Sequence, residues 1–504
     1  MTDLATAPDP SEPTTARHPG ELAAPEPATI DEGHPRRWAV FAVVVLGAFM
    51  AQLDLFIVNV AFPAIERDFP GVSSSALSWV LNGYAIVFAA CLVPAGRLGD
   101  LIGRRRTFEL GVIVFAIGSA GCAAAPGVAV LVGARVVQAI GAAMVIPTSI
   151  GLLLHAFPPS ERAGATGAWA SGAAVAASAG PPLGGLLVLL SWRWIFIVNL
   201  PLAAIALVGS PRIVPEVRHP EAGSRPDLPG IALLVGGIGG LVLAIVEGES
   251  WGWGSAPFVG VLLAAGLLLA AFLWRCGHHP SPIVELSLLR LRPFAVANAA
   301  MLAFYVGFGA MLLGAVLFLT GVWHERTVIA GLEIAPGPLV VAVLSGQVKR
   351  LVARFGARAV TVTGALLLAV AGVWWARRLG AQPDYAGAFL PGMLLAGLGV
   401  AFTQATLYGV IAVVLPPHRF ATGSGILNMC RQISLALGVA LLVAILGAGP
   451  DVADFHRGFE LVALAGLAAA AIATLLPARG SAARADRPVS RRSPRSFRPR
   501  AHLR

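Results

Sequence analysis

The sequence is poor in the residues from which most catalytic, metal and nucleotide sites are built. Only four cysteines occur in 504 residues. Cys91, Cys122, Cys276 and Cys430 are isolated and three fall in apolar runs, so they read as packing residues rather than a disulfide framework or metal site. The histidines show no metal-ligand spacing, and the adjacent pair His278-His279 lies in a polar loop. No GxxxxGK[ST] loop and no credible nucleophile arrangement is present, which argues against an ATP-driven pump and against an enzyme. Charge is scarce as well, at 12% of residues against 57% hydrophobic, with a mean hydropathy of +0.79. A chain of this length has too little polar surface for a water-soluble fold and must be solvated largely by lipid. Lys349 is the one lysine. The net charge of +10 sits in loops and the C-terminal tail without aromatic interleaving, which fits an anionic membrane surface and not nucleic acid.

What is abundant is apolar sequence in lengths that span a bilayer. About 20 helical residues cross the hydrocarbon layer. Runs of that order stand near residues 38–62, 76–95, 107–125, 128–154, 165–190, 195–214, 229–246, 257–274, 294–320, 328–348, 359–376, 386–415, 422–447 and 458–476. They are rich in Gly and Ala, as expected where helices pack closely without a hydrophobic drive between them. With both tails cytoplasmic, about 28 of the 36 basic residues fall in tails and inside loops, and only Arg135 and Arg431 lie within helices. Losing one helix would destroy that bias. Fourteen rather than twelve rests on the pair between 229 and 274. The loop Glu247 to Gly254 within that pair has tryptophans and no basic residue, so it reads as external. The flanking linkers, Arg212 to Leu228 and Arg275 to Pro293, carry arginines and read as internal.

The expected organisation is all-α and integral to the membrane, with two six-helix bundles and an inserted helix pair. Residues 1–36 form a disordered cytoplasmic tail rather than a signal peptide, 37–214 the first bundle, 215–293 the inserted pair with its linkers, 294–477 the second bundle, and 478–504 a basic tail near anionic lipid.

One connection is denser in chemistry than the rest. Pro94 to Arg106 packs four arginines, Asp100 and three glycines between two spans. Gly96 and Gly103 allow close approach and positive φ. Arg104 and Arg105 hold the loop at the cytoplasmic face, and Asp100 is placed to pair with an arginine or to sit at a helix N-terminus. Ser345 to Arg358 stands at the corresponding place of the second half. Aligning Gly356 with Gly103 puts Lys349 at the place of Gly96 and Ala353 at that of Asp100, a degraded repeat that fits rocking of two bundles, or two unrelated basic loops.

The spacing GxLxDxxGRR of the first loop resembles a signature of the major facilitator superfamily of secondary transporters. Leu53 to Pro63 is similar to LDxTxVNVALP of its drug:proton antiporters, with Phe56 in place of Thr. Arg135 to Ala142 resembles RxxQGxGA, with Ala139 in place of the first glycine. Gly180-Pro181-Pro182-Leu183-Gly184-Gly185 resembles the core of GxxxGPxxGG, with Ala176 at its first glycine. Trp192 to Pro201 resembles WRWIFxINLP of the fourteen-helix branch, drug:H+ antiporter-2, and Gly423 to Gln432 resembles that branch's penultimate helix.

The resemblance implies a proton-coupled exporter of small amphipathic compounds in a bacterial inner membrane. It would be driven by the proton gradient without a cofactor, and a monomer. Its partners would be a small-molecule substrate, protons and lipids. An uptake symporter of the same fold, or a non-transporting receptor, are the alternatives. Asp54, buried in an apolar helix, is a candidate proton carrier, or else a helix lock or an anchor for a cationic substrate. Arg135 keeps its proton at any accessible pH, so it either biases the protonation of a carboxylate such as Asp54 or acts as a fixed strut. Glu333 is a second candidate carboxylate, or a bystander in an outer vestibule. Gly180, Pro181, Gly184 and Gly185 form a hinge or a static kink. Arg431 and Gln432 are expected to be a pairing site in the second half.

Overall fold

The computed structural model describes residues 34–158, 160–218, 227–280, 282–415, 419–447 and 449–478. The two expected tails lie outside these, apart from 34–36 and 478. Among the described residues every regular element is helical. The first seven helices are α1 (Arg37–Asp68), α2 (Ser74–Ile102), α3 (Arg104–Ala123), α4 (Val128–Ala156), α5 (Arg162–Val188), α6 (Trp194–Ile197) and α7 (Asn199–Ile213). Then come α8 (Leu228–Trp251), α9 (Ala256–His278) and the short α10 (Leu286–Leu289). The second half holds α11 (Arg292–Gly321), α12 (Thr327–Ile334), α13 (Pro336–Phe355), α14 (Ala357–Arg378), a π-helical turn at Tyr385–Phe389, α15 (Leu390–Val414), α16 (Phe420–Leu446) and α17 (Val452–Ala473).

Among the described residues, 13 helices are long and apolar enough to cross a membrane, counting α6 with α7, α12 with the start of α13, and the π turn with α15 as single spans. The remaining pass is α5, whose apolar part is Val175–Val188. Every run read from the sequence therefore has its helix. Chain direction alternates, so the arginine-bearing turns gather at one end of the bundle.

Helices α1 to α7 pack on one another, with α1 against α4, α5 and α7 and with α3 along α4. Helices α11 to α17 do the same around α11, α14 and α17. The α3/α4 contact shows what the small residues do. A Cβ at Gly118 would stand 2.6 Å from the Gln138 backbone N, and one at Gly141 would overlap the Phe115 backbone. Close packing of this kind replaces the hydrophobic drive that lipid cannot supply, and it fixes the rotation of α4. The halves meet where α2 runs beside α16, where α5 touches α12 and α13, and where α1 touches α11.

The inserted pair packs on itself, with α8 also touching both α2 and α16, so it lies over the seam between the halves. Its open ends are joined by Asp227, which caps α8 through Gly230 N at 2.9 Å and accepts from Arg275 Nε of α9 at 2.7 Å. Only 11% of the apolar window of α9 is buried. That helix faces lipid.

The degraded repeat has a backbone counterpart. Gly103 joins α2 to α3 at φ +113°, and Gly356 joins α13 to α14 at φ +86°. Both sit in the left-handed region that favours glycine, at equivalent turns of the two bundles.

Candidate functional site

Asp54 is fully buried on α1, and two helices supply its three donors. Arg135 Nη1 of α4 donates to Oδ2 at 2.5 Å. Gln138 Nε2, one turn along α4, donates to Oδ1 at 2.8 Å, and Asn199 Nδ2 at the start of α7 donates to the same oxygen at 3.1 Å. Ser119 Oγ of α3 accepts from both amides, from Gln138 at 2.7 Å and from Asn199 at 3.3 Å. The guanidinium is itself tied down. Its Nε donates to the Val80 carbonyl of α2 at 3.1 Å and its Nη1 to Gln138 Oε1 at 2.6 Å, while its carbon lies 4.0 Å from the centre of the Tyr84 ring. Five helices of the first bundle thus converge on one ion pair. In so dry a setting the pair depends on these extra hydrogen bonds, because attraction alone does not offset the loss of water around two charges.

The pair has one open flank. Arg135 lines a cavity of about 30 Å³ between the two halves, together with Asn59 and Asn82 of the first half and Phe308, Leu312 and Leu435 of the second. That volume holds one or two waters. Asp54 does not reach it directly, so in this conformation the cation stands between the carboxylate and the cavity. At the end opposite the arginine-rich turns a larger cavity of about 810 Å³ opens between the halves, with Glu66, Arg67, His324, Glu325 and Arg326 on its walls.

The remaining residues singled out from the sequence lie elsewhere. Glu333 is on α12, partly exposed, with Oε2 lacking a hydrogen-bond partner, and it is not joined to the Asp54 network. Gly180 and Gly184 are where α5 meets α1. A Cβ at Gly180 would stand 2.8 Å from Phe56, and one at Gly184 2.9 Å from Ile57. A Cβ at Gly185 would stand 2.6 Å from the Val328 backbone of α12, and Gly331 of α12 leaves room for the Pro181 carbonyl. Helix α5 runs continuously through Pro181 and Pro182, so these residues give close approach on two sides rather than a break. Arg431 and Gln432 are buried on α16, and neither forms an ion pair among the described residues.

The Gly96 to Arg106 stretch is stapled within the first half and to the linkers. Arg104 donates to Asp100 at 3.0 Å. Glu216, in the linker after α7, accepts from Arg105 N at 3.1 Å, and Arg106 Nε lies 3.7 Å from it. Arg105 also donates to the Val214 carbonyl. A Cβ at Gly96 would stand 3.6 Å from Pro147 of α4, and Arg97 donates to the Pro282 carbonyl beyond α9.

A side chain at Gly103 would overlap the Glu216 carboxylate and be strained by its φ, a cost of about 1–3 kcal/mol. Gly103→Val is therefore expected to lower the midpoint of thermal unfolding in detergent and to displace the clamp. Gly164→Ala, where nothing lies within 4 Å, is expected to be neutral. Equal midpoints for the two variants would remove the strain argument.

Gln138 and Asn199 stand in the RxxQGxGA-like and WRWIFxINLP-like stretches but carry no role in the sequence reading, and Ser119, Tyr84 and Glu216 are not singled out by it. Gln138 had a usable signal, since a polar residue three positions after Arg135 shares its helix face. Glu216 is an acid in a basic linker.

Comparison with known proteins fits this architecture. The profile of the Major Facilitator Superfamily matches residues 44–439. The multidrug resistance protein Stp of Mycobacterium tuberculosis is 36% identical over 405 residues, covering 80% of this chain and 74% of that protein. The tetracenomycin C resistance and export protein of Streptomyces glaucescens is 33% identical over 420 residues, covering 82% and 77%. A D-xylose–proton symporter crystal structure superposes with a TM-score of 0.64 at 15% identity, covering 88% of this chain and 98% of that one, a likeness of fold alone. The chain belongs to the major facilitator superfamily.

Proposed function

We propose that this multi-pass membrane protein is a proton-coupled exporter of small amphipathic compounds, drugs or a secondary metabolite among them. The observation that carries this reading is the buried Asp54–Arg135 pair standing against a cavity between two bundles. A carboxylate that is ionised when paired and neutral when the pair opens is a proton carrier, and its two states are two charge states of the site. The cycle runs as follows. Asp54 takes its proton from the outer, more acidic side, releases it inside as substrate binds, and Arg135 sets the balance between the states.

In this reading the arginine-rich end faces the cytoplasm of a bacterial inner membrane, with both termini on that side. The far cavity is the release vestibule, since its volume suits a drug-sized molecule. The clamp around Gly103 and Glu216 holds one end state. The names of the two relatives, a multidrug resistance protein and a resistance and export protein, support export over uptake. The proton gradient is the energy source, no cofactor is needed, and a monomer suffices.

Expression in a host lacking its own efflux pumps tests the reading. Export of at least one compound from a panel of dyes and antibiotics is expected, lost on adding an uncoupler. Accumulation instead of export would convert the reading to uptake, and indifference to the uncoupler would end it.

A further inference from the structure

The second bundle also buries an arginine at its inner wall, but gives it no acid. Arg431 of α16 is 7% exposed, its Nε has no hydrogen-bond partner, and among the described residues no carboxylate pairs with it. Its surroundings are aromatic and amidic. The guanidinium carbon lies 5.6 Å from the centre of the Tyr305 ring on α11, and the Tyr305 hydroxyl donates to Gln404 Oε1 of α15 at 2.6 Å. Next to Arg431, Gln432 is fully buried with both amide atoms unpartnered.

A guanidinium keeps its charge, and a buried charge without a counter-charge is costly. Arg135 shows how this chain resolves that problem elsewhere, with Asp54. At Arg431 none of the described residues supplies that counter-charge. The cluster adjoins the cavity between the halves, which has room for a water or two in this conformation and must widen for a larger ligand. Leu435, one turn along α16 from Arg431, and Phe308, one turn along α11 from Tyr305, both line the cavity between the halves. The cluster lies on the arginine-rich side of that cavity, which under the proposed orientation is the loading side.

We infer that Arg431, with Tyr305 and Gln404 beside it, receives the ionised acidic group of an aromatic, amphipathic substrate. This rests on the exporter reading for its transport meaning, but the site itself is a binding claim. Aromatic rings supply flat apolar contact, the Gln404 amide can meet polar substituents, and the guanidinium offers paired donors to a carboxylate, phenolate or sulfonate. Moving an anion outward against an inward proton also carries one more charge per cycle than moving a neutral compound.

Full-length protein in lipid nanodiscs is titrated with naphthalene-2-sulfonate, permanently anionic, and with neutral naphthalene-2-sulfonamide, each followed by its own fluorescence. The expected result is saturable sulfonate binding, weakened at least about tenfold in Arg431→Gln and partly restored in Arg431→Lys, with sulfonamide binding altered less than about twofold. Sulfonate no better bound than sulfonamide by the unaltered protein would overturn the inference. So would equal loss of both in Arg431→Gln, or complete displacement by chloride, which would make this a site for small inorganic anions. Proteoliposomes separate the two readings. Sulfonate binding without proton-linked movement of any probe would remove the exporter and keep the site. Proton-linked movement of ethidium with no sulfonate binding would do the reverse.

Discussion

Everted vesicles carrying Asp54→Asn are expected to lose accumulation of substrate against a gradient while still exchanging labelled for unlabelled substrate at near the unaltered rate. With one proton per substrate, each unit of pH difference supports about tenfold accumulation, and Asp54→Asn should reduce that to none. The side chain is nearly isosteric, so the cavity and the packing of α1 are preserved. What changes is that position 54 can neither take nor release a proton. It also presents an N–H₂ to donors from Arg135, Gln138 and Asn199. Removing one partner of a buried pair costs about 3–5 kcal/mol when the site has no neutral state. A proton carrier, however, must accommodate a neutral group here once per cycle. The variant is therefore expected to reach the membrane in normal amount, and collapse of its abundance would point to a lock instead of a carrier. Retained pH-driven accumulation would dismiss Asp54 and turn attention to Glu333, the other carboxylate singled out within a span.

The parts of this architecture legible in the sequence are those set by single residues or by length. Spans follow from apolar runs because lipid imposes one length on every helix. Asp54 and Arg135 stand out because any charge inside such a run is costly. Their partnership across 81 positions does not follow from either run. It depends on the rotation of α1 and α4, and hydropathy cannot fix rotation when every face of a helix is apolar. The contacts of Gly118 with Gln138 and of Gly180 and Gly184 with Phe56 and Ile57 set those rotations, and they are contacts between distant segments.

The same limit explains Arg431. A buried arginine beside a glutamine suggests a pair, and only the fold shows that among the described residues no acid pairs with it. Glu216 was hidden for a different reason, since its value lies in where the α7 linker returns beneath the α2–α3 turn. Gly103 and Gly356 lie between these cases. Their alignment was visible, and the left-handed backbone at both is what makes it meaningful.

Arg135→Gln separates a coupling residue from a strut, and the two roles predict opposite patterns in combination with Asp54→Asn. Arg135 holds Asp54, Gln138 and the Val80 carbonyl and lies over Tyr84, so it ties α1 and α2 to α4. If tying is all it does, Arg135→Gln should lower abundance and melting temperature while the protein that remains stays coupled to the pH gradient, and coupling should be lost only when Asp54→Asn is added. The stability losses of the two should sum to more than that of the double variant, because both break one ion pair. If it tunes the proton, the outcome differs. A carboxylate buried without its cation takes up a proton rather than keep an unpaired charge, so Arg135→Gln would hold Asp54 in the state that Asp54→Asn imitates. Export should fall to the uncoupled background, exchange should persist, and the double variant should match the singles. Arg135→Lys keeps the charge but offers a point donor in place of a fork. It cannot hold Asp54, Gln138 and Val80 at once, so coupled export at about a tenth of the unaltered rate or less is expected, with a pH dependence still present. Transport by each variant at a series of outer pH values, normalised to the amount of protein in the vesicles, reads all three results. Lower abundance of Arg135→Gln with coupling intact would leave Arg135 a strut and deprive Asp54 of the neighbour that makes its proton transferable.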